Sequence, residues 1–312
     1  MVRQVDKEEW LTIIARQQQL HSLFFNPEFL GVIKNAFGYQ LHYYVAIQKQ
    51  VPLFAAAIFS NGKNVVVPLA FTYSSIYLDQ TISDRRRVDL LKSFISLLKK
   101  DFRKISFRFN AEMEDLRPFI WESFQVDLRY TYIKRIGGDV HDSVLRNVER
   151  AKSEDFCFKT ATVEKESVQK NLDDFRNYGL SGFSYNQYQQ LFEQLSLMGC
   201  LKSFNVYMGE ELVCGNIVLL DEEKHQLYTL LINRTSHKNA TSYLYIETIE
   251  WCAANGYQFI DYCGANDERI SNFKSYFNPH LTPYYLLSYS PYGSFANNAK
   301  RKVKAIIKRI VG

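Results

Sequence analysis

The order of predicted elements is the feature that most constrains the fold, because the same order occurs twice along the chain. In the first half, two strand-like segments, 41–47 and 51–59, flank a polar turn, and a strand, a long helix and a further strand follow. In the second half, segments 203–207 and 212–220 flank a turn in the same way, again before a strand, a helix and a strand. This repetition predicts an internal duplication of two α/β halves.

The predicted helices follow from apolar residues at helical spacing and from the capping residues beside them. They are expected at 6–18, 27–37, 84–100, 164–178, 184–198, 241–254 and 270–277. Another helix follows Gly137-Gly138, with Asp139 as its predicted N-cap. Because this join is no long flexible linker, the two halves are expected to pack tightly against each other.

The length of the chain also supports two units. A single hydrophobic core rarely grows beyond about 250–300 residues, and this chain has 312. We therefore predict an α/β (α+β) fold with an N-terminal domain over residues 1–130 and a C-terminal domain over residues 131–312. Each domain is expected to contain a mixed central sheet flanked by helices.

Composition and missing motifs narrow the function. A formal net charge of +5 is low for a protein that binds nucleic acid over its whole surface. The six His lie far apart without ligand spacing, so no metal site is predicted. The chain has no G-x-S-x-G, P-loop or G-x-G-x-x-G motif, and hydrolase and Rossmann oxidoreductase functions therefore lose their usual support.

Cysteine usage and the N-terminus indicate the compartment. The five Cys lie at 157, 200, 214, 252 and 263, and such an odd, scattered set predicts buried thiols in a reducing environment. The N-terminus lacks the apolar segment of a signal peptide, and no run approaches the roughly 20 apolar residues that span a bilayer. We therefore expect a cytoplasmic protein.

A basic loop lies between the predicted strand 226–232 and the helix that follows it. Arg234 and Lys238 supply cations in this loop, and a helix N-terminus supplies free backbone N–H groups, a combination that suits phosphate. The alternative is an ordinary solvated loop. Tyr228, on the preceding strand, and Phe273, later in the chain, are further candidates for substrate binding.

A carboxylate and an ammonium group are the candidate catalytic groups. Asp261 lies at the end of a buried strand, where α/β proteins form clefts, and Gly264 allows a sharp turn after it. Phe273 and Phe277 share a helix face that packs inward, so the Lys274 ammonium beside them can face Asp261 or the loop 233–239 and stabilise an oxyanion. The alternatives are a capping Asp and a solvated Lys.

Two arginines form a third candidate site. Arg146 and Arg150 lie four residues apart on the helix after the Gly pair, and together they make a fork for phosphate or carboxylate. The alternative is a solvated helix face in which these arginines pair with Glu149 or Glu154.

Several of these segments together resemble the FemAB-type branch of the GNAT acyltransferase superfamily, the bacterial peptidoglycan bridge-forming aminoacyltransferases. The resemblance rests on Asn26-Pro27-Glu28-Phe29-Leu30, Tyr130-Thr131-Tyr132, the helix with Arg146, Arg150 and Ala151, Asn255-Gly256-Tyr257, Phe259-Ile260-Asp261-Tyr262-Cys263-Gly264, and Phe273-Lys274-Ser275-Tyr276-Phe277. It implies two tandem GNAT-like halves, with Lys274 and Arg146 in the active cleft. It also implies transfer of an acyl or aminoacyl group to an amine on a cell-wall precursor.

The donor stays open between aminoacyl-tRNA and acyl-CoA. The sequence shows no coiled-coil arm of the tRNA-binding kind, and Arg234 is not followed by the glycines of the GNAT CoA signature. A CoA-dependent N-acyltransferase is therefore one rival function. A non-catalytic module that binds an anionic envelope precursor is another.

The C-terminal segment 297–311 predicts a basic amphipathic helix. Its apolar residues lie at helical spacing, and its six cations are diluted by no acidic residue. Such a helix can lie on an anionic membrane, which suits a lipid-linked acceptor, or can hold a tRNA backbone. The alternative is a terminal helix that packs its apolar face on the second domain.

Overall fold

The computed structural model describes residues 1–68, 71–163, 165–177, 184–233, 235–237 and 239–291. The strands are β1 (Arg3–Val5), β2 (Gln40–Gln48), β3 (Val51–Asn61), β4 (Asn64–Val66), β5 (Ser75–Leu78), β6 (Lys104–Phe109), β7 (Gln125–Arg135), β8 (Phe156–Ala161), β9 (Leu201–Met208), β10 (Glu211–Asp221), β11 (Gln226–Ile232), β12 (Phe259–Asp261) and β13 (His280–Tyr289). The helices are α1 (Lys7–Ala15), α2 (Pro27–Phe37), α3 (Asp84–Asp101), α4 (Arg117–Trp121), α5 (Asp142–Ser153), α6 (Lys165–Asn177), α7 (Tyr185–Leu197), α8 (Ala240–Ala254) and α9 (Glu268–Ser275).

All of these strands belong to one mixed sheet. Its order is β1-β2-β3-β4-β6-β13-β7-β12-β11-β10-β9-β8, with β5 beside β3. The run β2-β3-β4-β6 of the first half has its counterpart in β9-β10-β11-β12 of the second, as the repeated sequence pattern predicts. The mixed α/β fold with two similar halves is thereby confirmed.

The two halves exchange their last strands at the centre of the sheet. Strand β7 pairs with β12 of the second half, whereas β13 pairs with β6 of the first. The predicted boundary between residues 130 and 131 therefore lies inside β7. Because each half contains a strand that completes the other, the division into residues 1–130 and 131–312 remains a proposal.

The ladders of the two halves have matching registers, which identify equivalent positions. Val65 of β4 lies between Ser60 and Ile105. Leu227 of β11 lies in the same way between Leu220 and Ile260. Ile105 on β6 and Ile260 on β12 therefore occupy matching places.

The halves differ at the strand that lies between β3 and β6 in the first half and between β10 and β12 in the second. In the second half β11 is continuous apart from a bulge at Leu230. In the first half the counterpart is divided: Val66 of β4 pairs with Phe59 and Ser75 of β5 pairs with Ala57, both on β3. Within the connection between β4 and β5, the Ser74 backbone N–H donates to the Arg108 carbonyl of β6.

Helices cover both faces of the sheet, and one apolar core spans the two halves. That core contains Trp10 of α1 and Phe29 of α2 from the first half. It also contains Leu172 of α6 and Phe192 of α7 from the second half. The shared core agrees with the prediction that no flexible linker separates the halves.

Two local predictions are wrong. The N-cap of α5 is His141, whose Nδ1 accepts the backbone N–H of Ser143, and not Asp139. Cys157 is exposed on β8, an edge strand of the sheet, whereas Cys200, Cys214 and Cys252 are buried as expected. The apolar sequence around Cys157 indicated burial, but alternate residues of an edge strand face solvent.

The cysteines are expected to differ strongly in reactivity, because burial raises the pKa of Cys200, Cys214 and Cys252 to about 12. Thiolate is the reactive form. With iodoacetamide near pH 7.5, mass spectrometry should find Cys157 modified first and these three at least about 100-fold more slowly. Equal rates for Cys157 and the buried thiols in the folded protein would contradict this placement.

Among the described residues, no helix has both the length and the apolar character needed to cross a bilayer. The segment 297–311 lies outside the described residues, so the basic amphipathic helix stays a prediction.

Candidate active site

Asp261, the last residue of β12, is the centre of the candidate site. Its side chain is 0% exposed. The Tyr73 hydroxyl donates to Oδ2 at 2.7 Å, the Thr131 hydroxyl donates to Oδ1 at 2.5 Å, and the Cys263 backbone N–H donates to Oδ1 at 2.8 Å. Tyr73 belongs to the first half and Asp261 to the second, so the site is built by both.

The backbone after Asp261 turns sharply, which brings these donors together. Cys263 has φ 50° and Gly264 has φ 115°, a region that favours glycine. The Gly264 N–H then donates to the Thr131 hydroxyl at 3.1 Å, and the Ala265 N–H donates to the Tyr130 carbonyl at 2.8 Å. These two bonds attach the turn to β7 and hold the Thr131 hydroxyl against the Asp261 carboxylate.

Burial changes the proton affinities of Asp261 and of its hydrogen-bond partner Tyr73. It raises the pKa of Asp261, although the three hydrogen bonds and the Lys274 ammonium oppose the shift. Burial and the neighbouring carboxylate also raise the pKa of Tyr73 far above its usual range. Asp261 is thus a stronger proton acceptor than an exposed carboxylate, and a free Tyr73 phenolate is strongly disfavoured.

Lys274 lies beneath the turn. This residue of α9 is 6% exposed, and its ammonium donates to the Tyr262 carbonyl at 2.5 Å and the Gly264 carbonyl at 2.8 Å. Burial lowers the pKa of Lys274 to about 8, against the opposing influence of Cys263 and Asp261. The ammonium faces inward, and its contacts hold the two carbonyls on either side of Cys263.

Aromatic side chains surround the ring of Tyr73. Tyr228 lies opposite Asp261 in the parallel β11–β12 pair, is buried, and has its ring 6.4 Å from that of Tyr73. The rings of Phe24 and Tyr284 lie 6.5 and 6.2 Å from that of Tyr73. This apolar surrounding strengthens the electrostatic interaction between Tyr73 and Asp261.

Phe273 lies away from this aromatic group. It is half-buried, and its ring lies 5.4 Å from the rings of Tyr245 and Phe277. These residues belong to a core cluster of the second half that is separate from the one containing Tyr228. The contacts favour a role for Phe273 in packing α9, and its predicted role in substrate binding stays a prediction.

The predicted arginine fork lies on the exposed face of α5. Arg146 and Arg150 are exposed, whereas Val144 and Val148 on the same helix are buried. Neither arginine forms an ion pair with a residue that the structure describes. The other two predicted cations, Arg234 and Lys238, lie outside the described residues. Of the predicted residues, the structure thus brings Asp261, Lys274 and Tyr228 together.

Sequence reasoning missed Tyr73 and Thr131. Tyr73 lies in the connection between β4 and β5, 188 residues before its partner Asp261. Thr131 lies in the middle of β7, within the segment Tyr130-Thr131-Tyr132 that carries part of the family resemblance. No local spacing connects either residue to Asp261. The pairing of β7 with β12 brings Thr131 to the carboxylate, and a segment outside the strands brings Tyr73.

Among the described residues there is no group of three or more His, Cys, Asp or Glu that could hold a metal ion.

Comparison with known proteins identifies the second half most clearly. Residues 145–275 match the family described as "Acetyltransferase (GNAT) domain". This region contains Tyr228, Asp261 and Lys274. No curated protein matches the chain by sequence.

Solved structures resemble the chain over nearly its whole length. FemX superposes with a TM-score of 0.56 at 10% identity, over 91% of this chain and 96% of FemX. L-PGS from Bacillus licheniformis superposes with a TM-score of 0.55 at 12% identity, over 92% of this chain and 93% of that chain. A tandem GNAT protein from the clavulanic acid biosynthesis pathway gives 0.56 at 9% identity, over 93% and 98%. The chain thus has the fold of a tandem GNAT protein, and its residues 145–275 match a GNAT acetyltransferase domain.

Proposed function

We propose that this protein is an acyl- or aminoacyltransferase that forms an amide on an amine acceptor. The observation that carries the proposal is the buried Asp261 carboxylate, hydrogen-bonded to the Tyr73 hydroxyl, within a domain of the GNAT acyltransferase type. A buried carboxylate of raised pKa that is hydrogen-bonded to a tyrosine hydroxyl suits the removal of a proton from an attacking amine.

The reaction would begin with attack of the amine nitrogen on the carbonyl carbon of an activated ester or thioester. The new C–N bond forms as the carbonyl becomes a tetrahedral oxyanion, and the C–O or C–S bond to the leaving group then breaks. The nitrogen loses one proton and the leaving group gains one. The protein therefore needs a group that can accept a proton and return it.

Tyr73 and Asp261 can serve together as that group. Because a free Tyr73 phenolate is strongly disfavoured, Tyr73 would take the amine proton while passing its own to Asp261. The same two transfers in reverse would protonate the leaving alcohol or thiol. In this scheme Tyr73 is the catalytic residue, and Asp261 acts through it. Lys274 holds the turn that presents the Cys263 N–H to Asp261.

The donor and acceptor are proposed by class. The GNAT domain favours an acyl-CoA thioester, and the structural similarity to FemX favours an aminoacyl ester on tRNA. The acceptor is proposed to be an amine on a cell-envelope or polysaccharide precursor, either a small molecule or lipid-linked. Arg146, Arg150, Arg234 and Lys238 remain candidates for holding an anionic part of a substrate.

Turnover with defined donors tests the proposal. The purified full chain would be incubated with a panel of primary amines and either acetyl-CoA or charged tRNA, and amide products would be detected by mass spectrometry. We expect product with one donor class and at least 100-fold less with Asp261→Asn. Tight binding of an anionic envelope precursor without turnover of any donor would instead support the non-catalytic binding module.

A further inference from the structure

We propose that Arg108 is a positioning residue that holds the first-half segment 71–74 so that Tyr73 reaches Asp261 of the second half. The proposal rests on the proposed role of Tyr73 in acyl transfer. It concerns a residue on β6 of the first half.

Arg108 makes hydrogen bonds to three of the four residues in this segment. Its guanidinium Nη1 donates to the carbonyls of Phe71 and Thr72, in the second case at 3.4 Å. Its backbone N–H donates to the Ser74 hydroxyl at 3.0 Å, and its carbonyl accepts the Ser74 N–H at 2.8 Å. The segment is thus fixed on both sides of Tyr73.

These contacts replace strand pairing that the segment lacks. Residues 71–74 lie between β4 and β5, where the chain has left the edge of β3. Backbone groups outside a ladder need other partners when they are buried, and Phe71 and Thr72 are both buried. A planar guanidinium can serve two carbonyls at once, which a lysine ammonium does less precisely.

Arg108 and Asp261 hold Tyr73 from its two ends. Asp261 of the second half accepts a hydrogen bond from the Tyr73 hydroxyl. Arg108 of the first half holds the backbone on either side of Tyr73 through its bonds to Phe71 and Ser74. The first half thus supplies the positioning of the tyrosine and the second half its proton acceptor.

The hydrogen bond between Tyr73 and Asp261 gives a readout that needs no turnover. In full-length protein labelled with 3-fluorotyrosine, the ¹⁹F resonance lost in Tyr73→Phe is that of Tyr73. Asp261→Asn should shift this resonance by changing its hydrogen-bond partner. Arg108→Met should also shift it by a comparable amount, whereas Arg108→Lys should give a smaller shift.

Arg129→Met is the matched control. Arg129 lies on β7, which β13 separates from β6. Its guanidinium pairs with Asp127 at 2.7 Å, with no hydrogen bond to segment 71–74. The Arg129→Met variant should leave the ¹⁹F resonance of Tyr73 unshifted. An unchanged resonance in both folded Arg108 variants would overturn the proposal, whatever the outcome of the activity assays. If Arg108→Met does not fold, Arg108→Lys carries the same test.

Kinetics add a second readout once a donor is known. Tyr73→Phe and Arg108→Met should each lower kcat by at least about 100-fold, and the double variant should lose little more than Tyr73→Phe alone. Multiplicative losses would show that Arg108 acts independently of Tyr73 and would also contradict the proposal.

Discussion

Replacing Asp261 by Asn is expected to lower kcat by a factor of about 10²–10⁴, the usual contribution of a proton-transfer group. The amide keeps the shape of the side chain but cannot accept a proton from Tyr73. It also places a donor where the carboxylate accepts hydrogen bonds from three groups. The measurement is kcat with the donor and acceptor found in the turnover screen, together with the melting temperature of each variant.

Asp127→Asn provides the matched control for this change. Asp127 is a carboxylate on β7 whose side chain is 58% exposed and whose partner is Arg129. Its replacement should leave kcat within about twofold of the wild type, since exposed ion pairs contribute little. A folded Asp261→Asn variant with the wild-type rate would remove Asp261 from the mechanism.

Lys274→Met is expected to change how stability depends on pH. The pKa of Lys274 is about 8 in the folded protein, against 10.5 as its ordinary value. Below pH 8 both the folded and the unfolded chain carry the ammonium, and folding bears the full cost of burying it. Between pH 8 and 10.5 the unfolded chain binds a proton that the folded protein has released, so stability rises with pH.

The wild type should therefore gain about 1.4 kcal/mol per pH unit in free energy of unfolding relative to Lys274→Met over this interval. Urea unfolding at pH 7.5, 8.5 and 9.5 measures the difference. Measurements below pH 10 limit the effect of the buried tyrosines on the free energy of unfolding. Their pKa values are raised in the folded protein, so their ionisation favours the unfolded chain at higher pH. Parallel stability curves for the two proteins would show that Lys274 does not titrate as its burial requires.

The sequence predicted elements well where their cause is local. The strand at 226–232 has the predicted bounds, because a short, mainly apolar run that includes Tyr228, Thr229 and Ile232 between polar turns is typical of a buried strand. The helix α2 was predictable from Asn26, whose side chain accepts the N–H groups of Glu28 and Phe29, and from Gly38 in the left-handed region. Both features depend only on residues close in sequence.

The arrangement of the halves had no local signature. Strand β7 shows the alternation of an ordinary strand, and β13 contains the apolar run Tyr284-Tyr285-Leu286-Leu287. Neither sequence indicates that the strand pairs with the other half. The prediction of two tandem units was confirmed at the level of the fold. The exchange became visible only from the pairing itself.

In the candidate site, too, some contacts follow from local sequence or predicted topology and others do not. Tyr228 and Asp261 lie opposite each other on adjacent parallel strands, so their proximity follows from the predicted topology. The inward position of Lys274 follows from its helix face, but its two carbonyl partners depend on the unusual turn at Cys263 and Gly264. The position of Tyr73 could not be predicted. It lies in an irregular segment between β4 and β5, where no sequence periodicity indicates which residues a side chain contacts.

The most direct test of the account is the single-turnover rate of Tyr73→Phe with the active donor and acceptor. This change deletes one hydroxyl at the junction of the two halves and keeps the aromatic packing against Tyr228 and Tyr284. The account predicts that the amide-forming rate falls by at least about 100-fold while the melting temperature and the affinity for the donor change little. A rate equal to that of the wild type would contradict the claim that the two halves build one proton-transfer site.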